Sequence, residues 1–258
     1  MVWTRSADDW HQDQILLADC REHVLRLPCV KVCPLAESDV NRQIPPDYYQ
    51  TDQTIPIVSV FTSSHGAGFF HSLKRVRTIV QNSAACYAVG PATSLRLGDF
   101  QVEASVPDGV QKAKDLAGWL ADQYRGQDVR FFLPGGRLRA FDLGGSLRRA
   151  GFDTLVVNLY ETRNGCWRES GGDLDEGERS RCPDIFRSGV ICFASPSAVR
   201  GFVRYWDFVG RELRSWRVVA IGTSTGDVCQ EYFSAVTRTP RPSMEDLKNT
   251  AKKLLQLP

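Results

Sequence analysis

Five short loops carry the hydroxyls, glycines and free backbone amides from which an anion-binding site could be built. They are Thr62-Ser63-Ser64, Gly90-Pro91-Ala92-Thr93, Pro134-Gly135-Gly136-Arg137, Ser195-Pro196-Ser197 and Thr223-Ser224-Thr225. Each falls where an apolar run ends and a helical pattern begins. At such a junction the first N–H groups of the helix lack partners and point at whatever anion approaches. One such loop reads equally well as an ordinary helix cap. Five at matching positions point to a shared ligand.

The positions match because the sequence is written twice. Phe61-Thr62-Ser63-Ser64-His65, Phe70 and Tyr87-Ala88-Val89-Gly90-Pro91-Ala92-Thr93 form the first copy. Phe193-Ala194-Ser195-Pro196-Ser197, Phe202 and Val219-Ala220-Ile221-Gly222-Thr223-Ser224-Thr225 form the second, 132 residues later. Phe61 to Gly90 and Phe193 to Gly222 are both 29 residues apart. Weaker similarity links Met1–Arg5 to Phe131–Gly135, and Val24–Leu27 to Thr154–Val157, at an offset of 130. So long a period is two whole domains rather than a solenoid, and 258 residues suffice for both.

The elements that must position these loops are short apolar strands alternating with helical patterns, which predicts parallel sheets with crossover helices. Strands are predicted at Val2–Thr4, Val24–Leu27, Ile57–Phe61, Cys86–Val89, Val102–Ala104, Val129–Leu133, Thr154–Leu159, Val190–Phe193, Val218–Ile221 and Ala235–Thr237. Ten strands divide into two sheets of five. A helix over Val110–Tyr124 is marked by Val110, Leu116, Ala117 and Leu120 on one face. Ser243 with Asp246 marks the start of the last helix as a capping box, and Gly151 ends an earlier one. The pair Gly144-Gly145 inside that earlier helix costs about 1 kcal/mol per glycine and has no evident reason. Glu37–Pro56 and Arg163–Pro183 read as loops outside both sheets, the second with dense charge and no apolar period.

Composition narrows the function. Hydrophobic residues are 42% and charged residues 24% of the chain, as in a globular protein. A net charge of +2 is too small to drive nucleic-acid binding. No apolar run reaches the length of a membrane helix, and the polar start of Met1–Gln14 lacks a signal-peptide core, which suggests the cytoplasm, or an organelle if a transit peptide has been removed. The eight cysteines include no CxxC pair, and the four histidines are dispersed, so reduced structural thiols are expected and no metal site. Nucleotide fingerprints, a G-x-S-x-G elbow and HExxH are all missing. Chemistry here would rest on positioning, hydrogen bonds and one acid.

The ordered set FTSSH, YAVGPAT, Tyr160-Glu161-Thr162, FASPSAV and VAIGTST resembles the uroporphyrinogen-III synthase family, along most of the chain from Trp3 to the final helix. Against the family pattern, His65 stands for Asn, Ala194 for Thr, and Thr223-Ser224-Thr225 for Pro-Thr-Thr. The resemblance implies an α/β fold of two similar domains, each a five-stranded parallel sheet with helices on both faces, joined by a two-stranded linker. One domain would be discontinuous, residues 1–33 plus 162–258, and the other 36–160. The linkers would lie at about 29–34 and 159–163.

The same resemblance implies a lyase that takes hydroxymethylbilane, expels its terminal hydroxyl as water and closes the macrocycle with ring D inverted, through a spiro intermediate. No cofactor and no metal are implied, and the enzyme would be a monomer. Tyr160 is then the candidate acid. The candidate substrate-binding residues are Arg5, Thr62, Ser63, Ser64, His65, Gly90, Pro91, Ala92, Thr93, Gly136, Arg137, Ser195, Ser197, Thr223, Ser224 and Thr225. The duplicated loops alone fit a non-enzymatic binder of an anionic ligand equally well.

Overall fold

A computed structural model describes residues 1–49, 54–110, 112–165, 189–207 and 216–256. Two compact units emerge: Met1–Val32 with Arg163–Pro258, and Cys33–Thr162. Each is built on a five-stranded sheet.

The first sheet contains β1 (Val2–Trp3), β2 (Leu25–Arg26), β8 (Val190–Phe193), β9 (Arg217–Ala220) and β10 (Ala235–Arg238), in the order β10-β9-β8-β1-β2. All four pairings are parallel. Its central strands β9, β8 and β1 are apolar on both faces, as parallel strands covered by helices must be. Ile191, Phe193, Val218 and Ala220 pack on one side with Phe202 and Val228. Val190, Cys192 and Val219 alternate onto the other, with Trp3, Leu17, Leu247 and Ala251. The covering helices include α8 (Pro196–Asp207), α9 (Gly222–Gln230) and α10 (Met244–Leu255).

The second sheet contains β3 (Val30–Pro34), β4 (Ile57–Phe61), β5 (Ala85–Ala88), β6 (Arg130–Gly136) and β7 (Asp153–Asn164), ordered β3-β7-β6-β4-β5. Strands β5, β4, β6 and β7 pair in parallel. Val58, Val60, Phe131 and Leu133 meet the apolar faces of α6 (Ala113–Gln123) and α7 (Leu143–Arg149), through Leu116, Leu120, Leu143 and Leu147. Each fully buried aromatic of this kind contributes about 1.5–3 kcal/mol by leaving water.

The repeat is visible in the topology. Four strands run β9-β8-β1-β2 in one sheet and β5-β4-β6-β7 in the other, the same order on the same duplicated residues. Ser63 and Ser195 each accept the N–H three residues on, Gly66 and Ala198, both at 3.1 Å. Gly90 and Gly222 both have positive φ, 82° and 67°, which turns the chain sharply from strand into helix.

The fifth strands differ. Ala235–Arg238 is a full strand, but its counterpart at Val102–Ala104 is reduced to one bridge between Tyr87 and Ser105. The place of a fifth strand goes instead to Val30–Pro34, which the sequence offers only as linker. Its pairing with β7 is antiparallel: Gly165 donates to the Cys29 carbonyl and Leu35 to that of Leu159, so one number rises as the other falls.

Within Glu37–Pro56, read from sequence as a loop, residues 50–53 lie outside the described residues and residues 37–49 carry helical turns. These are α2 (Glu37–Asn41) and a 3₁₀ turn at Pro46–Tyr48, with Val40, Ile44 and Tyr48 buried at four-residue spacing. Most of Arg163–Pro183, with Cys166 and Cys182, lies outside the described residues, although β7 runs through Arg163 to Asn164. The capping box at Ser243 is half formed. Ser243 Oγ accepts from Asp246 N–H, while the Asp246 carboxylate turns to Arg241 at 2.9 and 3.1 Å.

Gly144 and Gly145 now have a reason. A Cβ on Gly144 would sit 2.4 Å from Val156 Cγ2, so only glycine lets α7 lie this close to β7. A Cβ on Gly145 would meet the carboxylate of Asp142, the cap that accepts the Gly145 N–H at 2.8 Å. Among the described residues, no helix is long and apolar enough to cross a membrane.

Candidate active site

The carboxyl ends of β4 and β6, with the part of β7 that pairs beside Gly136, bring together four of the residues singled out from sequence: Ser63, His65, Gly136 and Tyr160. Phe61 ends β4, and Ser63 caps α3 (Ser64–Phe69) in extended conformation. The Tyr160 hydroxyl lies 2.9 Å from Ser63 Oγ. Its ring is buried, with 8% exposure, against the rings of Phe69 at 5.5 Å and His65 at 6.0 Å. Gly136 is the floor: a Cβ there would lie 2.6–2.8 Å from the phenol carbons and hydroxyl. Phe69 was not read from the sequence as a site residue, although its helical spacing from His65 would have put both on one face.

Around this contact lies a second layer of polar groups. Arg137 N–H donates to the Tyr160 carbonyl at 2.9 Å, but its guanidinium turns out to Glu161 at 3.2 Å and is exposed. Two residues on, Arg139 is the cation that folds back. It donates to Asn158 Oδ1 at 2.9 Å and lies over Gly135, 3.7 Å from where a Cβ would be. Burial opposes its charge, and nearby Tyr160 and Asp142 favour it. Arg137 lies in the loop singled out from sequence, and Arg139 follows it in the bend after β6. A cavity of about 530 Å³ adjoins, lined by Leu35, Asp39, Arg42, Gln43, Arg137 and Asn158.

The other candidates are placed less uniformly. Thr62 is half-buried after β4, and Ser64 is exposed in the first turn of α3. Gly90, Pro91 and Ala92 open α5 (Pro91–Gly98) at the surface. Thr93 is 4% exposed and its repeat partner Thr225 is 2% exposed, so both are buried. In the first unit Ser195 and Ser197 are half-buried at the start of α8, and Thr223 and Ser224 are exposed at the start of α9. Arg5 is paired with Asp13 at 2.6 Å and with Asp9 at 3.1 Å. Asp13 is held by burial above the usual carboxylate range, opposed by Arg5 and by the Trp3 indole at 3.0 Å.

Comparison with known proteins bears on the family and the fold. The family described as uroporphyrinogen-III synthase HemD matches residues 17–249. A uroporphyrinogen-III synthetase from Helicobacter pylori is similar in structure, with a TM-score of 0.62 at 14% identity, over 98% of each chain. A mutant uroporphyrinogen III synthase from Thermus thermophilus has a TM-score of 0.56 at 16% identity, over 99% of this chain and 98% of that one. No curated protein matches by sequence comparison. With its sheets, its duplicated strand-end loops and nine-tenths of its length matched, the chain belongs to the uroporphyrinogen-III synthase family.

Proposed function

We propose that the chain cyclises hydroxymethylbilane to uroporphyrinogen III, with ring D inverted and one water lost, and that it does so as a monomeric cytoplasmic lyase without a cofactor. Family membership supports the substrate and product. The observation that carries the chemistry is the 2.9 Å contact between Tyr160 and Ser63 at the strand ends of one sheet.

The step needing help is departure of hydroxide. When the C–O bond breaks, its electron pair stays on oxygen, and a proton delivered there turns a poor leaving group into water. Tyr160 is suited to deliver it. Ser63 Oγ already accepts the Gly66 N–H, so its own proton is free to point at the phenol oxygen. That leaves the phenolic proton facing outward, and a donated hydrogen bond stabilises the phenolate once the proton has gone. The eight carboxylates of the substrate need donors, and the exposed hydroxyls of Ser64, Thr223 and Ser224 and the backbone amide of Ala92 are of that kind.

Incubating the protein with hydroxymethylbilane and separating the product isomers tests the reading. The III isomer should exceed the I isomer that forms spontaneously. Binding of the substrate with no gain in the III isomer would make the chain an anion binder instead.

A further inference from the structure

The register of β7 slips beside Tyr160. Gly135 pairs with Asn158, yet the next residue, Gly136, pairs with Tyr160, so Leu159 is an extra residue: a β-bulge. Its consequence is a change of face. Val156 points at α7, touching the position of Gly144, and Asn158 two residues on meets Arg139. Regular alternation would send Tyr160 the same way. The bulge instead sends it to the opposite face, where Ser63, His65 and Phe69 stand.

A bulge leaves backbone groups that a regular ladder would not. Here the carbonyls of Asn158 and Leu159 both accept from the β3 side, although successive carbonyls of a strand face opposite edges. Leu35 N–H serves Leu159 at 2.8 Å. At Asn158 the donor is the side chain of Gln43. Its Nε2 donates to the Asn158 carbonyl at 3.1 Å, and its Oε1 accepts the Asn158 N–H at 2.9 Å. A second Nε2–H to the Asp39 carbonyl at 3.1 Å fixes the carboxamide on its own turn. One amide thus imitates a strand residue, satisfying both groups at the slip.

We propose that Gln43 is a positioning residue for Tyr160: its carboxamide holds the bulge in β7 that turns the phenol towards Ser63. The proposal rests on the reading of Tyr160 as proton donor. Losing Gln43 would leave a part-buried N–H and C=O unpaired, which favours a regular strand or a mobile one over the bulge.

Two measurements on Gln43→Ala and Gln43→Glu test it; the second keeps the side-chain size but has no amide donor for the Asn158 carbonyl. The first is single-turnover cyclisation, alone and combined with Tyr160→Phe. Each variant should slow the wild-type background by about ten- to a hundredfold, the usual result of misplacing a reacting group by an ångström. In the Tyr160→Phe background each should change the rate less than about twofold, because the group being positioned is gone. An equal loss in both backgrounds would show a merely structural role and overturn the proposal. The second is NMR of protein carrying ¹³C at the hydroxyl-bearing tyrosine carbon, the Tyr160 signal being the one lost in Tyr160→Phe. Ser63→Ala should move that signal in the wild type and no longer move it in Gln43→Ala. An unchanged response would overturn the proposal even if the protein made no III isomer, a result that would separately overturn the activity.

Discussion

Tyr160 donates to or accepts from Ser63 at 2.9 Å, and the same Ser63 oxygen caps a helix by accepting the Gly66 N–H at 3.1 Å. A single hydroxyl therefore links the start of α3 to the candidate acid, and the helix cap fixes the rotamer that faces the phenol. Tyr160→Phe keeps the ring among His65 and Phe69 and deletes only the hydroxyl. Single-turnover cyclisation should slow by about 10²–10⁴-fold, with thermal stability reduced by no more than the roughly 1 kcal/mol of one hydrogen bond. A rate within twofold of wild type, with the III isomer still dominant, would remove Tyr160 from the chemistry.

The repeat allows a paired comparison. Ser63→Ala and Ser195→Ala each delete an N-cap with the same 3.1 Å geometry, so each should lower stability by about 1 kcal/mol. Ser63 has the phenol as well. Only Ser63→Ala should therefore also cost turnover, by about tenfold, the worth of a hydrogen bond of about 1.4 kcal/mol. Denaturant melts of both variants beside their cyclisation rates will separate the two effects; equal rates would mean that the phenol contact is idle.

Gly136→Ala gives a steric test of the same site. The added methyl would stand 2.6–2.8 Å from the Tyr160 ring and hydroxyl, closer than real side chains approach. The phenol must move, so activity should fall at least as far as in Ser63→Ala. Adding Tyr160→Ala to Gly136→Ala should restore the unfolding midpoint lost to the clash, without restoring turnover.

How far the sequence foretells this arrangement depends on the range of the interactions. Ser63, Ser195, Gly90 and Gly222 are legible because caps and positive-φ turns are set by neighbours three or four residues away, and duplication repeats them. Tyr160 was found through family resemblance, but its orientation depends on a bulge that no local pattern announces. Gln43 is 115 residues from Asn158 and sits in a stretch whose prolines suggest a loop. Val40, Ile44 and Tyr48 did carry an i, i+4, i+8 apolar signal there. Val102–Ala104 misleads in the other direction: its apolar and polar residues alternate as in a strand, yet the bridge to β5 is made by Ser105, through Tyr87.

Gly144→Ala tests a feature that propensity alone reads wrongly. In an exposed helix the change would stabilise by about 1 kcal/mol. Here the new Cβ would lie 2.4 Å from Val156 Cγ2, so α7 must lift from β7. Overpacking of this kind costs about 1–3 kcal/mol. Urea unfolding should show a net loss of stability, and combining the change with Val156→Ala should recover part of it.

The thiols make a prediction about pH. Cys86, Cys192 and Cys229 are buried, and burial pushes each up to about 12 from the ordinary 9.0. Desolvation is the largest cause for all three, so the folded state disfavours the thiolate. At pH 8 about one molecule in 10⁴ would carry the thiolate at any of these sites, too little for alkylation. Iodoacetamide mapped by mass spectrometry should label Cys33, the half-buried thiol, well before those three. After unfolding in urea all four should react alike. The sign of the linkage follows from the raised values. Protons are held more tightly in the folded state, so this contribution to stability is complete below pH 9 and is lost as pH climbs towards about 12. Replacing Cys192 by Ala should flatten the alkaline fall in stability, in exchange for a small cavity beside Trp3 and Val219. Rapid labelling of Cys192 in the folded protein at pH 8 would show that this core opens on its own and would overturn the expectation.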